Sequence, residues 1–215
     1  MITHKDQLQL FQLIANNLSK DVECYAFGGT AMMFYGFKEE TKDIDILFPL
    51  SEDKEAFISA IKKLGFEETS PITIYIPEKL RDPNRPRMYK NETTRFDIFV
   101  KQIFRTLLSP TMKKDTYAVH EFGTINKLKM NIFRTEHIAF LKAITERRND
   151  FDDIQKILNN DKNFDWQYFI NEVLWQYAHG DSWALIDAEK TLEELKKYLP
   201  IDGKYAKQLR DAVKK

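Results

Sequence analysis

The spacing of hydrophobic and polar residues changes several times along this chain, and each spacing predicts a different element. Apolar side chains return every three or four positions in residues 5–19 and again in residues 51–64, which predicts two amphipathic helices. Residues 22–27, 43–48 and 95–100 instead show short apolar runs or a period of two, which predicts strands. The first half of the chain therefore mixes helices with strands.

Further along the chain, the strand pattern gives way to a helical one. Residues 72–76 predict one more strand, and residues 80–93, with two prolines and two asparagines among charged residues, predict a loop or a hairpin arm. Beyond about residue 129 the periodicity is helical almost to the end. We therefore predict an α/β (α+β) fold, with a small mixed β-sheet and flanking helices in residues 1–128 and a helical C-terminal domain in residues 129–215.

Three aspartates lie on the predicted strands. Asp43 and Asp45 are two positions apart, so both point, with Leu47, to the face opposite Ile44, Ile46 and Phe48. Asp97 likewise points away from its apolar neighbours, so the three carboxylates meet if the two strands lie side by side. Such oxygens are the ligands that hard divalent cations prefer. An Asp-Ile-Asp strand alone is also common at a solvated edge, so its meaning depends on the other motifs.

A glycine pair, Gly28 and Gly29, follows the first predicted strand and precedes Thr30 and a short predicted helix in residues 31–35. Glycine lets backbone N–H groups come close to a phosphate, and the start of a helix favours negative charge. Two glycines before a helix often form only a turn. Neither Gly-x-Gly-x-x-Gly nor a Gly-Lys-Thr/Ser tail is present, which excludes the dinucleotide-binding and P-loop patterns.

The glycine pair, the Asp-Ile-Asp strand and the later aspartate together resemble the nucleotidyltransferase superfamily, which has the polymerase-beta-like fold. This resemblance implies an enzyme that transfers a nucleoside monophosphate from an NTP to an acceptor hydroxyl with Mg²⁺ or Mn²⁺. It implies that Asp43, Asp45 and Asp97 are both the catalytic residues and the metal ligands. The nucleotide-binding residues that it implies in this part of the chain are Gly28, Gly29, Thr30 and Lys42.

A second motif, with the pattern K-x4-R-x2-D-x2-D, is formed by Lys142, Arg147, Asp150 and Asp153. It is similar to the AbiEii-related branch of the superfamily, found in bacteria and archaea. Arg148 fits the arginine position almost as well as its neighbour. The resemblance implies that the lysine contacts the phosphates or the base of the nucleotide and that the two aspartates orient the basic residues.

If one unbroken helix carries this second motif, Lys142, Glu146, Asn149 and Asp153 form a stripe on one face. Such a stripe could close over a triphosphate. The same residues have a structural interpretation, in which Lys142 and Glu146 form an exposed ion pair and Asp150 caps a helix. The sequence leaves both interpretations open.

The overall charge limits the ways in which this chain can contact nucleic acid. Its 33 Lys and Arg residues balance 33 Asp and Glu residues, which argues against coating nucleic acid through bulk positive charge. Residues 79–114 nevertheless contain ten Lys or Arg residues against three Asp or Glu residues. This basic segment is a candidate electrostatic funnel, and it slightly favours RNA as the acceptor.

Composition also bears on metal sites and on location. The single cysteine, Cys24, excludes an internal disulfide framework, and the four histidines share no metal-ligand spacing, which disfavours a zinc site. The N-terminus lacks a signal pattern, and no apolar run reaches the length of a membrane span. We expect a cytoplasmic protein that does not engage a membrane.

The resemblance leaves the acceptor open among three classes: RNA 3′ ends, a hydroxyl of a partner protein in a toxin–antitoxin pair, or a small molecule such as an aminoglycoside. A different class of function also remains open. The chain could keep the fold as a non-catalytic nucleotide- or partner-binding protein of a toxin–antitoxin-like system. The presence of all three aspartates argues for the enzyme.

Overall fold

The computed structural model of this protein describes residues 1–75, 77–145 and 148–213. Its chain folds into two units, and each contains two stretches of sequence. The first unit comprises Met1–Leu108 and Thr116–Phe133, and the second comprises Ser109–Asp115 and Arg134–Lys215. The division therefore differs from the predicted boundary after residue 128, because a strand follows that position and a short earlier segment belongs to the second unit.

The first unit contains both strands and helices. In chain order its elements are β1 Ile2–Thr3, α1 His4–Ala15, β2 Val22–Ala26, α2 Gly28–Phe34, β3 Glu40–Thr41, β4 Asp43–Phe48, α3 Ser51–Lys63, β5 Glu67–Thr69, a 3₁₀ turn Pro71–Thr73, α4 Pro77–Arg81, β6 Arg87–Lys90, β7 Arg95–Val100, β8 Gln102–Ile103 and β9 Thr106–Leu107, followed, after a segment of the second unit, by β10 Thr116–Phe122 and β11 Leu128–Phe133. The predicted mixture of helices and strands is confirmed.

Seven strands form a mixed sheet in the order β10-β11-β2-β4-β7-β6-β5, with β8 paired to β7 and β9 paired to β8. Strand β4 lies in the middle of this order, antiparallel to β2 and parallel to β7. The predicted alternation along β4 is confirmed, because Ile44, Ile46 and Phe48 are completely buried. The helix α3 packs Phe57 against Phe48 and Phe96 from these two strands. The apolar face of β4 and β7 is thereby anchored in the core.

Two sequence predictions in the first unit are wrong. Residues 72–75 do not form a strand, because the hydroxyl of Ser70 accepts a hydrogen bond from the N–H of Ile72 and starts the 3₁₀ turn instead. Ile76 itself lies outside the described residues. The helical part of the chain, predicted to start at about residue 129, starts only at Thr135, because Leu128–Phe133 is a strand that pairs with β2 and β10.

The second unit is helical, as predicted for the C-terminal part of the chain. Its elements are α5 Pro110–Lys114, α6 Thr135–Ala143, α7 Arg148–Asn160, α8 Trp166–Ala178, α9 Ala184–Leu195 and α10 Gly203–Val213. Helix α5 is joined to this unit by Glu172 of α8, whose buried carboxylate accepts hydrogen bonds from Ser109 at 3.0 Å and Thr111 at 2.5 Å. A short segment far from α8 in sequence therefore becomes part of the helical core.

Candidate active site

The two aspartate-bearing strands lie side by side, as the sequence predicted. Strand β4 pairs in parallel with β7, and the register places Asp45 opposite Asp97 and Asp43 opposite Arg95. Adjacent strands are about 4.8 Å apart, so side chains at paired positions on one face are neighbours. Asp43 and Asp45 are partly exposed, whereas Asp97 is 2% exposed. The sheet thus gathers the three predicted carboxylates on one face.

Gly28 lies against the carboxylate of Asp45. Its φ angle is +57°, and a Cβ atom at this position would lie 2.3 Å from Oδ2 of Asp45. Both the left-handed backbone and the lack of space require glycine here. The sequence associated the glycine pair with a nucleotide, and the structure adds that Gly28 makes room for one of the three carboxylates.

Gly29 and Thr30 occupy the first turn of α2, which begins at Gly28 and so starts earlier than the predicted residue 31. A Cβ on Gly29 would lie 2.6 Å from the hydroxyl of Thr41 and 3.9 Å from Nζ of Lys38. The side chain of Thr30 is completely buried, and its hydroxyl accepts a hydrogen bond of 2.8 Å from the backbone N–H of Asp45. Thr30 therefore positions Asp45.

Arg95 joins two of the three carboxylates, which the sequence analysis did not anticipate. Its Nη2 lies 2.7 Å from Oδ2 of Asp43, and its Nε donates to Oδ1 of Asp97 at 2.7 Å. The hydroxyl of Tyr75 donates to the other oxygen of Asp97 at 2.8 Å. The sequence signal for Arg95 was its position two residues before Asp97 on a strand, which places both on one face.

The charge of Arg95 is held in place by these neighbours. Burial alone lowers the pKa of its guanidinium, but the hydrogen bonds and charge of Asp97, together with the charge of Asp43, outweigh burial and raise that pKa above the ordinary value. Arg95 is therefore a fixed positive charge inside the aspartate cluster.

Lys42 and the basic segment of residues 79–114 also belong largely to the first unit. The side chain of Lys42 is exposed, and its carbonyl accepts a hydrogen bond from Thr94. Within the basic segment, Arg87 pairs with Glu55 at 3.3 Å and with Glu68 at 3.1 Å. Ion pairs thus offset part of the positive charge that the sequence analysis counted in residues 79–114.

The second motif forms a buried ion cluster in the helical unit. Nζ of Lys142 lies 3.0 Å from Asp150 and 2.6 Å from Asp153, and this lysine is 7% exposed. Burial lowers the pKa of Lys142, but the charges and hydrogen bonds of the two aspartates raise it by more. The aspartates therefore hold the lysine, which leaves its predicted contact with a nucleotide as a prediction.

The stripe expected on one unbroken helix is wrong. Helix α6 ends at Ala143, and the hydroxyl of Thr145 bonds to the carbonyl of Lys142 at 2.8 Å and to the carboxylate of Asp150. These bonds favour a turn between α6 and α7. Lys142 and Asp150 consequently meet across a helix break. The remaining residues of the motif and of the stripe lie outside the part of the chain that the structure describes. They are Glu146, Arg147 and the side chains of Arg148 and Asn149.

The aspartate cluster has the donor chemistry for a hard divalent cation, because carboxylate oxygens are the ligands that Mg²⁺ and Mn²⁺ prefer. In the described part of the chain, no group of three or more His, Cys, Asp or Glu residues is arranged to hold a metal ion. The guanidinium of Arg95 lies between Asp43 and Asp97 instead. Among the same residues, no helix is long and apolar enough to cross a membrane.

Comparison with known proteins gives structural similarity at low identity. No family model and no curated protein matches this chain. It is similar to a crystal structure of ANT(2″)-Ia in complex with adenylyl-2″-tobramycin, with 11% identity, a TM-score of 0.47, and coverage of 88% of this chain and 98% of that chain. A solution structure of the antibiotic-resistance factor ANT(2″)-Ia gives 12% identity, a TM-score of 0.48, and coverage of 91% and 99%. At such low values, this likeness by itself assigns no activity or substrate.

Proposed function

We propose that this protein is a nucleotidyltransferase, which transfers a nucleoside monophosphate from an NTP to an acceptor hydroxyl. The observation that carries the proposal is the parallel pairing of β4 with β7, which sets Asp45 opposite Asp97 with Asp43 on the same face. Three carboxylates thus share one face of two central strands, beside a glycine whose Cβ would lie 2.3 Å from Oδ2 of Asp45, and carboxylate oxygens are the ligands that Mg²⁺ prefers.

Each group at the site has a role in this proposal. Asp43 and Asp45 would hold a divalent cation, which offsets the charge of the triphosphate and makes the α-phosphorus more electrophilic. Gly28 keeps space for the Asp45 carboxylate, and Thr30 fixes its backbone. The acceptor oxygen bonds to the α-phosphorus as pyrophosphate leaves, and the hydroxyl proton passes to a carboxylate, for which Asp97 is the candidate.

The Lys142 motif supports placing the chain in the AbiEii-related branch, as a further part of the proposal. Acceptor classes remain those of the superfamily: RNA 3′ ends, a partner protein or a small molecule. A transfer assay with NTPs labelled at the α-phosphate, offered each class in turn, distinguishes them. Label that becomes attached to one class and requires a divalent cation would name the acceptor.

The first test of the proposal is nucleotide binding, because a ligand that binds only the folded state raises thermal stability by mass action. We expect ATP or another NTP with Mg²⁺ to raise the melting temperature of the wild-type protein. The variant Asp45→Asn should lose that increase, because it removes a charge from the cation site. The matched control is Asp211→Asn, since Asp211 is an exposed aspartate of the last helix. Equal increases in Asp45→Asn and wild type would contradict the proposal.

A second candidate function is favoured by Arg95. Because its guanidinium already pairs with Asp43 and Asp97, the cluster is a suitable arrangement for a protein that binds a nucleotide or a partner without transferring anything. In that case an NTP would stabilise the protein, but labelled phosphate would not reach any acceptor. The transfer assay therefore separates the two functions.

A further inference from the structure

The short hairpin of β8 and β9 places an aromatic ring at its tip. Ile103 pairs with Thr106, so Phe104 and Arg105 are the two central residues of the turn. Phe104 has a φ angle of +52°, and glycine is the residue that two-residue hairpin turns favour where φ is positive. The side-chain amide of Gln102 donates a hydrogen bond of 2.6 Å to the carbonyl of Phe104 and holds this conformation. Backbone strain of this kind is concentrated at ligand sites, which makes the ring a candidate for binding.

The ring of Phe104 lies one side chain away from Asp97. Its centroid is 5.5 Å from that of Tyr75 and 5.4 Å from that of Phe99, at interplanar angles of 68° and 71°. Neither neighbouring ring therefore stacks in parallel on Phe104. The hydroxyl of Tyr75 donates to Oδ2 of Asp97 at 2.8 Å. One tyrosine thus connects the Phe104 ring to the carboxylate that is the candidate proton acceptor.

A face of the Phe104 ring is in contact with a cation. Nζ of Lys79 lies 5.0 Å from the ring centroid, within the range of a cation–π interaction, and the phenylalanine is half-buried. The ammonium group of a lysine ends a flexible four-carbon stem. It can therefore move from the ring to the phosphate of a ligand when a planar group stacks there.

The charge around this ring favours an anionic ligand. Residues 98–108 contain Lys101 and Arg105, both exposed, and no Asp or Glu. Helix α4, which carries Lys79, adds two basic residues against one acidic residue. A polycationic ligand such as an aminoglycoside is disfavoured beside these side chains, whereas phosphate groups are attracted. An aromatic face among basic residues is the combination with which proteins bind the bases and phosphates of unpaired nucleotides.

We propose that Phe104 is a stacking platform for a nucleobase beside Asp97, and that Lys79, Lys101 and Arg105 contact the phosphates of the same ligand. The base belongs either to the NTP or to the 3′-terminal nucleotide of a single-stranded acceptor, since both offer a planar base and phosphate groups. This inference rests on the proposed nucleotidyltransferase function and specifies one subsite of it. The strained turn places the ring at the edge of the site where glycine would leave no side chain.

The first arm of the test asks whether the NTP supplies the base. Isothermal titration calorimetry with Mg²⁺ compares each NTP with inorganic tripolyphosphate, which offers phosphates without a base. If it does, Phe104→Gly should raise the Kd of the NTP by about 5- to 150-fold, because base–aromatic stacking is worth about 1–3 kcal/mol. The Kd of tripolyphosphate should stay unchanged.

The second arm asks whether a nucleic acid acceptor supplies the base. Fluorescence anisotropy measures the binding of short labelled single strands, RNA and DNA, whose 3′-terminal nucleotide is either intact or abasic. If the terminal base stacks on Phe104, Phe104→Gly should weaken binding of the intact strand by the same factor and should bind both strands equally. The comparison of RNA with DNA then names the acceptor.

Three variants serve as controls in both arms. Phe104→Trp should retain the base-dependent part of binding, since it keeps an aromatic face. Arg105→Gln should weaken ligands with and without a base alike, because its charge acts on phosphate. Tyr198→Ala removes an exposed aromatic ring of the second unit and should bind as wild type does.

The outcomes separate this inference from the proposed function. A base-dependent loss in either arm supports the stacking platform and identifies the source of the base. If Phe104→Gly binds every ligand as wild type does, or loses the same factor with and without a base, the platform is overturned and the nucleotidyltransferase proposal stands. Stacking of a single strand without any NTP binding would instead contradict the proposed function. Because glycine suits this turn, Phe104→Gly should fold, and Phe104→Leu is the second variant, which keeps an apolar side chain without the ring.

Discussion

Gly28 illustrates at the scale of one residue why the aspartate site constrains the backbone. A Cβ there would meet Oδ2 of Asp45 at 2.3 Å, and the φ angle of +57° is itself unfavourable for other residues. We expect Gly28→Ala to lower the free energy of unfolding by more than the roughly 1–2 kcal/mol of left-handed strain. It should also reduce the NTP-dependent increase in melting temperature, because Asp45 has to move.

Gly36 provides the control for that substitution. It has a φ angle of +73°, but a Cβ there would meet nothing within 4 Å. Gly36→Ala should therefore show only the backbone strain, about 1–2 kcal/mol, and should bind nucleotide as wild type does. Urea denaturation and thermal shift measure both effects. Equal losses of stability in the two variants would mean that Asp45 yields to the added methyl group at no cost.

The sequence could predict the aspartates but not how their charge is balanced. Alternation along a strand fixes which face a carboxylate occupies, so Asp43, Asp45 and Asp97 were found without coordinates. Arg95 shares that face by the same rule, yet alternation does not tell whether a long side chain extends to solvent or folds back onto its neighbours. Tyr75 was out of reach, because its loop was predicted as a strand.

At the scale of an element, helix α6 carries Lys142, which is buried together with its ion-pair partners Asp150 and Asp153. Lys142→Met would remove the positive charge that Asp150 and Asp153 pair with. Water would solvate the two carboxylates poorly, because the side chains of this cluster are only about 8–13% exposed in the wild type. We expect it to lower the free energy of unfolding by about 3–5 kcal/mol, the usual cost of removing one partner of a buried ion pair. Chemical denaturation followed by circular dichroism measures this.

Two comparisons sharpen the test on Lys142. Adding Asp150→Asn and Asp153→Asn should recover much of the loss, because the uncompensated charges disappear. Lys197→Met removes the partner of Glu194 at the surface, and should change stability little. Because the pKa of Lys142 is raised, its contribution persists at neutral pH and is lost only as the pH rises above the ordinary lysine value of 10.5.

The same helix places His137 where it cannot easily take up a proton. Burial, followed by the positive charge of Arg134, lowers its pKa from 6.5 to about 3, against the weaker opposite effect of Asp115. The carboxylate of Glu172 is 3.8 Å from the ring, too far for a hydrogen bond, and the ring also contacts Tyr168. His137 is therefore neutral in the folded protein at pH values where the unfolded chain protonates it.

Because the pKa of His137 is lower in the folded protein than in the unfolded chain, the free energy of unfolding should depend on pH. Because the folded pKa is depressed, His137 costs no stability above pH 6.5, and stability falls by about 1.4 kcal/mol per pH unit as pH drops toward about 3. His137→Phe keeps a ring but cannot titrate, so its unfolding free energy should show a smaller slope. His179→Phe, at an exposed position, should keep the wild-type slope. Parallel curves for wild type and His137→Phe would contradict the prediction.

Elements with clear periodicity were predicted with accurate bounds, and others were not. Asp43–Phe48 and Arg95–Val100 match the prediction residue for residue, because both begin with polar and apolar residues in alternation and bury their apolar side chains. Strand Leu128–Phe133 is buried almost throughout, so its run of apolar residues resembled a buried helix. This segment is a strand because it pairs with β2, more than 100 positions earlier in the chain, and no local sequence pattern shows such a pairing.

At the scale of the whole molecule, the chain enters the second unit, returns to the sheet and leaves it again. Residues 109–115 belong to the helical unit, and the hairpin of β10 and β11 that follows belongs to the sheet. A domain boundary drawn from the sequence could not show this, because the strand pattern gives way to the helical pattern only once, at about residue 129. The consequence is that residues 134–215 are an incomplete unit.

We therefore expect the fragment of residues 134–215 to unfold more easily than a chimera that restores helix α5. In the fragment, Glu172 loses the two hydroxyl donors of Ser109 and Thr111 and keeps the amide of Gln176. Each lost donor to a buried charged acceptor costs about 1–3 kcal/mol. Helical circular dichroism with increasing urea measures the difference.

The chimera is feasible because the excised hairpin begins and ends with paired residues. Thr116 lies opposite Phe133 in the antiparallel ladder, so a few glycines suffice to join residue 115 to residue 134. The chimera should unfold in one cooperative transition, and the double substitution Ser109→Ala/Thr111→Val within it should return the stability toward that of the fragment. If the fragment is as stable as the chimera, the hydrogen bonds of Glu172 do not hold α5 to the helical unit.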